Sequence, residues 1–330
     1  TPFRLFPGAT TPITVTPRRA AAGVSSATVV VDTALGLTAT LALSLDVTAV
    51  STIEERFTAG DAISAVDILF VIDNSGSMSD DQQLLAENFA AFFAEALGSG
   101  GVDFQVGVTT TDILTPSAAN GALVGAPAIL RNTTPDLEGA FGRNVLVGVD
   151  GAGLELGLEA MRRAIDHPAN SGFIRNNAAL SVVFVTDEED GGAFVADEGL
   201  PSLARAPDEY VALLRSTKAG ALSNAPVLVS GVITPGQALR YQAVVDAFHG
   251  SVLDITRADW GSRLGEIGVD TFALARTFDL QTRTTRASIT VTIDGVATTA
   301  FSYDTARGAV ILDENPPTGA AIVISYQAGC

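Results

Sequence analysis

Two hydrophobic rhythms divide this chain. From about Val66 to about Ile267, short continuous apolar runs alternate with segments whose apolar residues recur every three or four positions, whereas on either side the apolar residues recur at every second position. A continuous apolar run bounded by polar residues is what a strand covered on both faces requires, and the three-to-four spacing is what a helix packed on one side requires. Strict alternation marks strands with one wet face. The middle therefore reads as an α/β sheet wound with helical crossovers and the two ends as small β-domains, with boundaries at 1–60, 61–275 and 276–330.

Within the middle, strands are expected at Ile68–Ile72, Phe104–Val108, somewhere inside Ala122–Arg131, and at Ser181–Val185, Val227–Ile233 and Val252–Ile255. The stripe Leu85, Phe89, Phe92, Ala96 predicts a helix opened by Ser79 and Gln82, which have capping-box spacing. Leu154, Leu158, Met161 and Ile165 predict another, and further helices follow near Asp208–Arg215, at Tyr241–Phe248 with Gly250 as its stop, and around Trp260, Leu264 and Ile267. The flanks offer alternating strands at Ile13–Thr16, Ala27–Val31 and Leu37–Val47, then at Ile289–Ile293 with a turn at Asp294-Gly295, Ala309–Leu312 and Ile322–Tyr326. Each flank is short for an independent sandwich, which favours their packing together.

The candidate chemistry sits where strands stop. Directly after Ile68–Ile72 come Asp73, Asn74, Ser75, Gly76 and Ser77. A carboxylate and two hydroxyls at i, i+2 and i+4 can converge once Gly76 lets the backbone turn, and an oxygen-only set favours Mg²⁺, Ca²⁺ or Mn²⁺. With two neutral hydroxyls among three ligands, the ion would keep much of its charge and accept an acidic ligand from outside. Thr110 with Asp112 and Thr186 with Asp187 end two more strands. If those strands run parallel, all three clusters share one rim of the sheet, where ligands of open α/β sheets bind.

The sequence D-I-L-F-V-I-D-N-S-G-S-M at 67–78 resembles the first strand and metal loop of a von Willebrand factor type A domain, whose signature is D-x-S-x-S. The resemblance covers roughly residues 61–275 and implies a doubly wound, mostly parallel sheet carrying a metal-ion-dependent adhesion site, in which the cation bridges protein and ligand. It gives Asp73, Ser75 and Ser77 the role of loop ligands and Asp187 that of an acidic residue reaching the ion through water. That family's remaining ligand is a threonine in the loop before the helix that here carries Leu154 to Ile165, where this chain has Val149 and Asp150. Either Asp150 substitutes, or a hydroxyl from Thr109–Thr111, such as Thr110, reaches over, or the site is weakened. The C-terminal flank resembles small β-modules of bacterial surface proteins and phage tail proteins, on I-D-G-V at 293–296, Tyr303 and P-P-T-G-A at 316–320. The implied function is adhesion by a secreted or cell-surface bacterial-type protein to a protein partner with an exposed carboxylate. The alternative is a structural subunit of a surface assembly or phage virion tail that self-assembles through its β-segments.

Composition narrows the field. With 37 acidic against 19 basic residues, the net charge of −18 repels nucleic acid and anionic lipid. No apolar stretch approaches the roughly 20 residues of a membrane span. Cys330 is the only cysteine, so an intrachain disulfide is excluded. The first residue is Thr1, as expected of a chain whose signal peptide has been removed or of a fragment. There is neither a G-x-S-x-G nor a phosphate loop, and His167 and His249 stand alone near helix ends, so an enzyme is not expected. Glu188, Glu189 and Asp190 read as a solvated acidic loop.

Overall fold

The computed structural model describes residues 23–32, 38–47, 52–58, 65–98, 102–218, 226–317 and 319–327; the expected strand at Ile13–Thr16 lies outside them. The alternating N-terminal segments form an antiparallel hairpin, β1 (Gly23–Asp32) and β2 (Thr38–Val47), with Gly23 opposite Val47 and Asp32 opposite Thr38. This hairpin belongs to a compact unit of its own, and the chain from Glu54 onward forms a second.

In the second unit β3 (Thr52–Thr58) precedes β4 (Ala65–Ile72), α1 (Ser79–Glu87), α2 (Phe89–Gly98), β5 (Asp103–Thr110), β6 (Ile129–Arg131), α3 (Leu137–Val145) and α4 (Gly157–Asp166). Then come β7 (Ala179–Val185), α5 (Pro207–Lys218), β8 (Val227–Ile233), α6 (Leu239–Ala247), β9 (Val252–Asp254) and α7 (Leu264–Ala273). Six of these strands make one sheet in the order β6-β5-β4-β7-β8-β9. All neighbours are parallel except β5 and β6. The chain moves from β4 to β5 on one side and returns past β4 to β7 on the other, so the protein is a doubly wound, mostly parallel α/β sheet flanked by antiparallel β-structure. The carboxyl ends of β4 and β7 form the switch point of the strand order.

Every residue of β4, β7 and β8 is buried, as continuous apolar runs require. The sheet separates two cores. One face packs Phe70, Phe92, Phe93, Phe104, Phe141 and Phe272 into an aromatic cluster with ring centroids 4.9–5.9 Å apart. The other face packs Phe184, Met161, Leu214 and Tyr241 under α4, α5 and α6. In the first core α2 and α7 approach so closely at Gly268 that a Cβ there would lie 2.0 Å from the Phe92 carbonyl oxygen. Gly268→Ala should therefore force the helices apart and cost about 1–3 kcal/mol, read as a lower urea midpoint with an unchanged slope.

Three local details depart from expectation. The first helix is two helices, because the Asn88 side chain donates to the Leu84 carbonyl at 2.8 Å and competes with the backbone ladder. The helix expected from Leu154 starts only at Gly157, which leaves Leu154 to Leu156 in the preceding loop. The left-handed residue after α6 is His249, at φ 55°, rather than Gly250. Gly250 is needed for space, since a Cβ there would fall 1.7 Å from the Val229 carbonyl oxygen.

The C-terminal strands are β10 (Thr277–Asp279), β11 (Thr290–Ile293), β12 (Val296–Thr298), β13 (Phe301–Asp304), β14 (Ala309–Leu312) and β15 (Ala321–Gln327). They form two antiparallel sheets, ordered β10-β14-β13 and β12-β11-β15-β3. Asp294 and Gly295 both have positive φ, 50° and 79°, the backbone of a two-residue hairpin turn. The strand β3 therefore crosses from the N-terminal flank to pair beside β15. Buried Glu55 fixes it there, accepting hydrogen bonds from the Gln281 N–H at 3.0 Å and from the Tyr326 hydroxyl.

One charged group lies deep in the sheet. Asp67, on β4, is fully buried and accepts from the Arg175 N–H and Nε, both at 2.7 Å. Lys218, the only lysine of the chain, places Nζ 3.5 Å from Asp67 and donates to the Arg175 carbonyl at 2.7 Å. Burial pushes the Asp67 carboxyl above its ordinary value, against the pull of Arg175 and Lys218.

Candidate functional site

The strand β4 delivers Asp73 to the switch point, where the Asp73 N–H donates to the Val185 carbonyl of β7 at 2.9 Å. The loop then folds back on its own carboxylate. Asp73 Oδ1 accepts from the Ser75 N–H at 2.7 Å and Oδ2 from the Thr186 hydroxyl at 2.6 Å. The hydroxyls of Ser75 and Ser77 lie 3.2 Å apart, and Ser77 donates to Asp187 Oδ1 at 3.2 Å. Asp73, Ser75, Ser77 and Asp187 are thus one oxygen cluster drawn from two neighbouring strand ends. Burial raises the Asp73 carboxyl above its ordinary value, opposed by these hydrogen bonds, and the charge of Asp187 adds to the rise.

Neither Thr110 nor Asp150 is hydrogen-bonded to this cluster. The Thr110 hydroxyl faces its own turn, donating to the Asp112 carbonyl at 3.5 Å, because alternation along β5 turns it away from Thr109 and Thr111. Asp112 caps that turn by accepting from the N–H groups of Leu114 and Thr115 at 2.8 and 3.0 Å. Asp150 is exposed on the loop between α3 and α4, with no hydrogen bond or ion pair of its side chain. The acidic run after Asp187 is only partly solvated. Asp190 is buried, accepts from the Leu158 N–H at 3.0 Å and pairs with Arg240 at 2.9 Å. His167 serves as a local cap, its Nδ1 accepting from the Ala169 N–H at 3.2 Å.

Two further positions at this rim escape a reading by sequence. Gln82 does not close a capping box; its amide donates to the carbonyls of Asp73 at 3.0 Å and Gly148 at 2.8 Å, tying the motif loop to the loop before α4. Glu155, in that second loop, is 1% exposed. Its Oε2 accepts from the Thr111 hydroxyl, and its Oε1 is buried without a hydrogen-bond partner. Burial and then the charge of Asp73 push the Glu155 carboxyl up to about 8, against the Thr111 hydrogen bond, with Glu188 and Asp112 adding smaller contributions. No sequence signal marks it, because the apolar spacing from Leu154 puts it inside the expected helix, whereas α4 starts only at Gly157.

A divalent ion fits this donor chemistry. The donors are all oxygens, carboxylates outnumber cations around them, and one buried carboxylate oxygen is orphaned. Among the described residues no three His, Cys, Asp or Glu side chains gather into a metal-binding group on their own, so such an ion would depend on the serine hydroxyls as well.

No protein-family description and no curated protein matches the chain. Among solved structures it is similar to proximal thread matrix protein 1 from the mussel byssus, at 15% identity over 67% of this chain and 48% of that one, with a TM-score of 0.40. It is also similar to a von Willebrand factor type A protein from Catenulispora acidiphila, at 15% identity over 85% of this chain and 66% of that one, with a TM-score of 0.36. A third is the pilus adhesin SpaC from Lactobacillus rhamnosus GG in its open conformation, at 11% identity over 84% of this chain and 40% of that one, with a TM-score of 0.41. The chain thus spans about half the length of the mussel protein. The class stated above rests on the strand order of the protein itself: a doubly wound α/β sheet with an oxygen-lined cluster at its switch point.

Proposed function

We propose that the protein is a cation-dependent binding module of the von Willebrand factor type A kind, secreted or displayed at a cell surface, that holds a divalent ion at Asp73, Ser75 and Ser77 with Asp187 close by. An oxygen of a protein partner, a carboxylate being the strongest such donor, completes the coordination. The observation that carries this reading is the bonding of the motif loop to the end of β7, Ser77 to Asp187 and Thr186 to Asp73. It brings neutral and acidic oxygens together at the carboxyl ends of two neighbouring strands, where ligands of open α/β sheets bind.

The surroundings of the cluster support a protein partner. Seven large apolar side chains are exposed among the described residues; four of them, Leu114, Leu146, Val149 and Phe194, lie in the loops after β5, before α4 and after β7, and a fifth, Leu239, opens α6. Exposed apolar side chains gathered around a polar centre suit a protein contact better than a small hydrophilic substrate. Binding rather than catalysis is proposed. No helix among the described residues is long and apolar enough to cross a membrane.

Calorimetric titration with Mn²⁺ or Mg²⁺ tests the reading. The protein should bind an ion in a manner reversed by EDTA, and Asp73→Ala should abolish the heat while leaving the melting cooperative. No heat from the unmodified protein, or the same heat from the variant, would put the ion elsewhere or nowhere. A second reading, a structural subunit, is favoured by one feature: β12 is an outer strand of its sheet and Val296 on it is 71% exposed. Val296→Lys should then dissolve any concentration-dependent oligomer seen by light scattering, whereas a monomer at all concentrations rejects assembly through that edge.

A further inference from the structure

We propose that Glu155 is a direct ligand to the cation, a carboxylate supplied by the loop before α4. The inference rests on the binding-module reading above and changes the charge of its centre. Three backbone contacts fix where Glu155 stands. The Gly151 N–H donates to the Asn74 carbonyl at 2.8 Å, inside the motif loop, the Leu156 N–H to the Thr111 carbonyl at 3.3 Å, and the Gly191 N–H to the Glu155 carbonyl at 2.6 Å. Thr111 in turn donates its N–H to the carbonyl of Ile72, the residue before Asp73, at 3.1 Å. The carboxylate that takes the Thr111 hydroxyl is therefore held beside the end of β4.

The chemistry of that carboxylate asks for a cation. Glu155 is buried, no Arg, Lys or His pairs with it, and one of its oxygens has neither protein partner nor solvent. A buried carboxylate in that state is unfavourable unless something positive meets it. Other buried acids around the sheet are satisfied: Asp67 by Arg175 and Lys218, Asp190 by Arg240, Glu159 by Arg162 and Arg163, and Asp73 and Asp112 by N–H and hydroxyl donors on both carboxylate oxygens, whereas Glu155 keeps one oxygen without a partner. Glu155 faces instead the strand end that carries Asp73. An ion there would meet two inner carboxylates, which match its double charge.

Two properties follow. The chain alone holds the ion, so the site is loaded before a partner arrives. A partner carboxylate would be a third negative group, so the docking face gains relatively more from neutral oxygens and from the apolar loops around it.

Glu155→Gln keeps the shape and removes the charge. Without metal the variant should fold and melt cooperatively, since the amide has the size of the carboxyl it replaces. Its Mn²⁺ affinity by calorimetry should fall about tenfold or more, and Mn²⁺ should no longer raise its melting temperature. Glu155→Asp, which keeps the carboxylate and shortens its reach, should lose affinity as well. Unchanged Mn²⁺ affinity in Glu155→Gln, in a protein where Asp73→Ala abolishes binding, overturns the role of Glu155 and leaves the cation site standing. No Mn²⁺ binding by the unmodified protein overturns both.

Discussion

Arg175→Ala should lose about 3–5 kcal/mol of stability at neutral pH, because it strands a carboxylate in the middle of β4. Asp67 is fully buried, and Arg175 supplies two of the donors that satisfy it; the side-chain donor is lost in the variant. Lys218 remains 3.5 Å away, and burial already holds its ammonium below its ordinary value. The loss should depend on pH in a definite direction. The folded-state value of Asp67 is raised above its unfolded value, so its contribution is fully present below the unfolded value and is lost as pH rises through the folded one. Removing the guanidinium lifts the folded value further and widens the window of loss. The deficit of the variant should therefore shrink as pH is lowered into the carboxylate range, in urea titrations at several pH values. A deficit independent of pH would mean that packing of the Arg175 stem, not its charge, is what matters.

Phe93→Ala is the second large effect, with an expected cost of about 3–5 kcal/mol. Phe93 is fully buried, with rings of Phe89, Phe92, Phe104, Phe141 and Phe272 at 4.4, 4.9, 5.3, 5.6 and 5.7 Å. It touches α2, α3, β5 and α7 at once, so no single element can move in to fill the space. Phe93→Leu should recover more than half of the loss. If the alanine variant unfolds at the same urea concentration as the unmodified protein, the aromatic cluster is not the anchor of that face.

Much of the sheet was legible because its strands are buried on both faces. The runs at 68–72, 181–185 and 227–233 are short and rich in β-branched residues, which favours strands over buried helices, and each is a strand. The motif residues Asp73, Ser75, Ser77 and Asp187 were legible for a related reason: polar residues that abruptly end an apolar strand must emerge at its rim. What stayed hidden depends on contacts distant in sequence. Glu155 falls one position after Leu154, where a helical spacing begins, and only the fold shows that the helix starts later. Asp190 sits in an acidic run, and its burial is decided by Arg240, fifty positions on. Thr110 and Thr111 are neighbours of the same type, and the register of β5 alone sends one to its own turn and the other to Glu155. The pairing of β3 beside β15 joins segments more than two hundred residues apart, beyond any local pattern.

That last pairing makes the α/β unit an insert. Strand β3 just before it and strands β10 to β15 just after it are parts of one β-module, so the chain leaves that module, builds the whole doubly wound sheet, and comes home to it. Both passages open at the foot of the large sheet, where β4 begins and α7 ends, while the oxygen cluster occupies the opposite rim. A tug along the polypeptide from either flank should therefore load the junction of β3 and β15 before it reaches the rim.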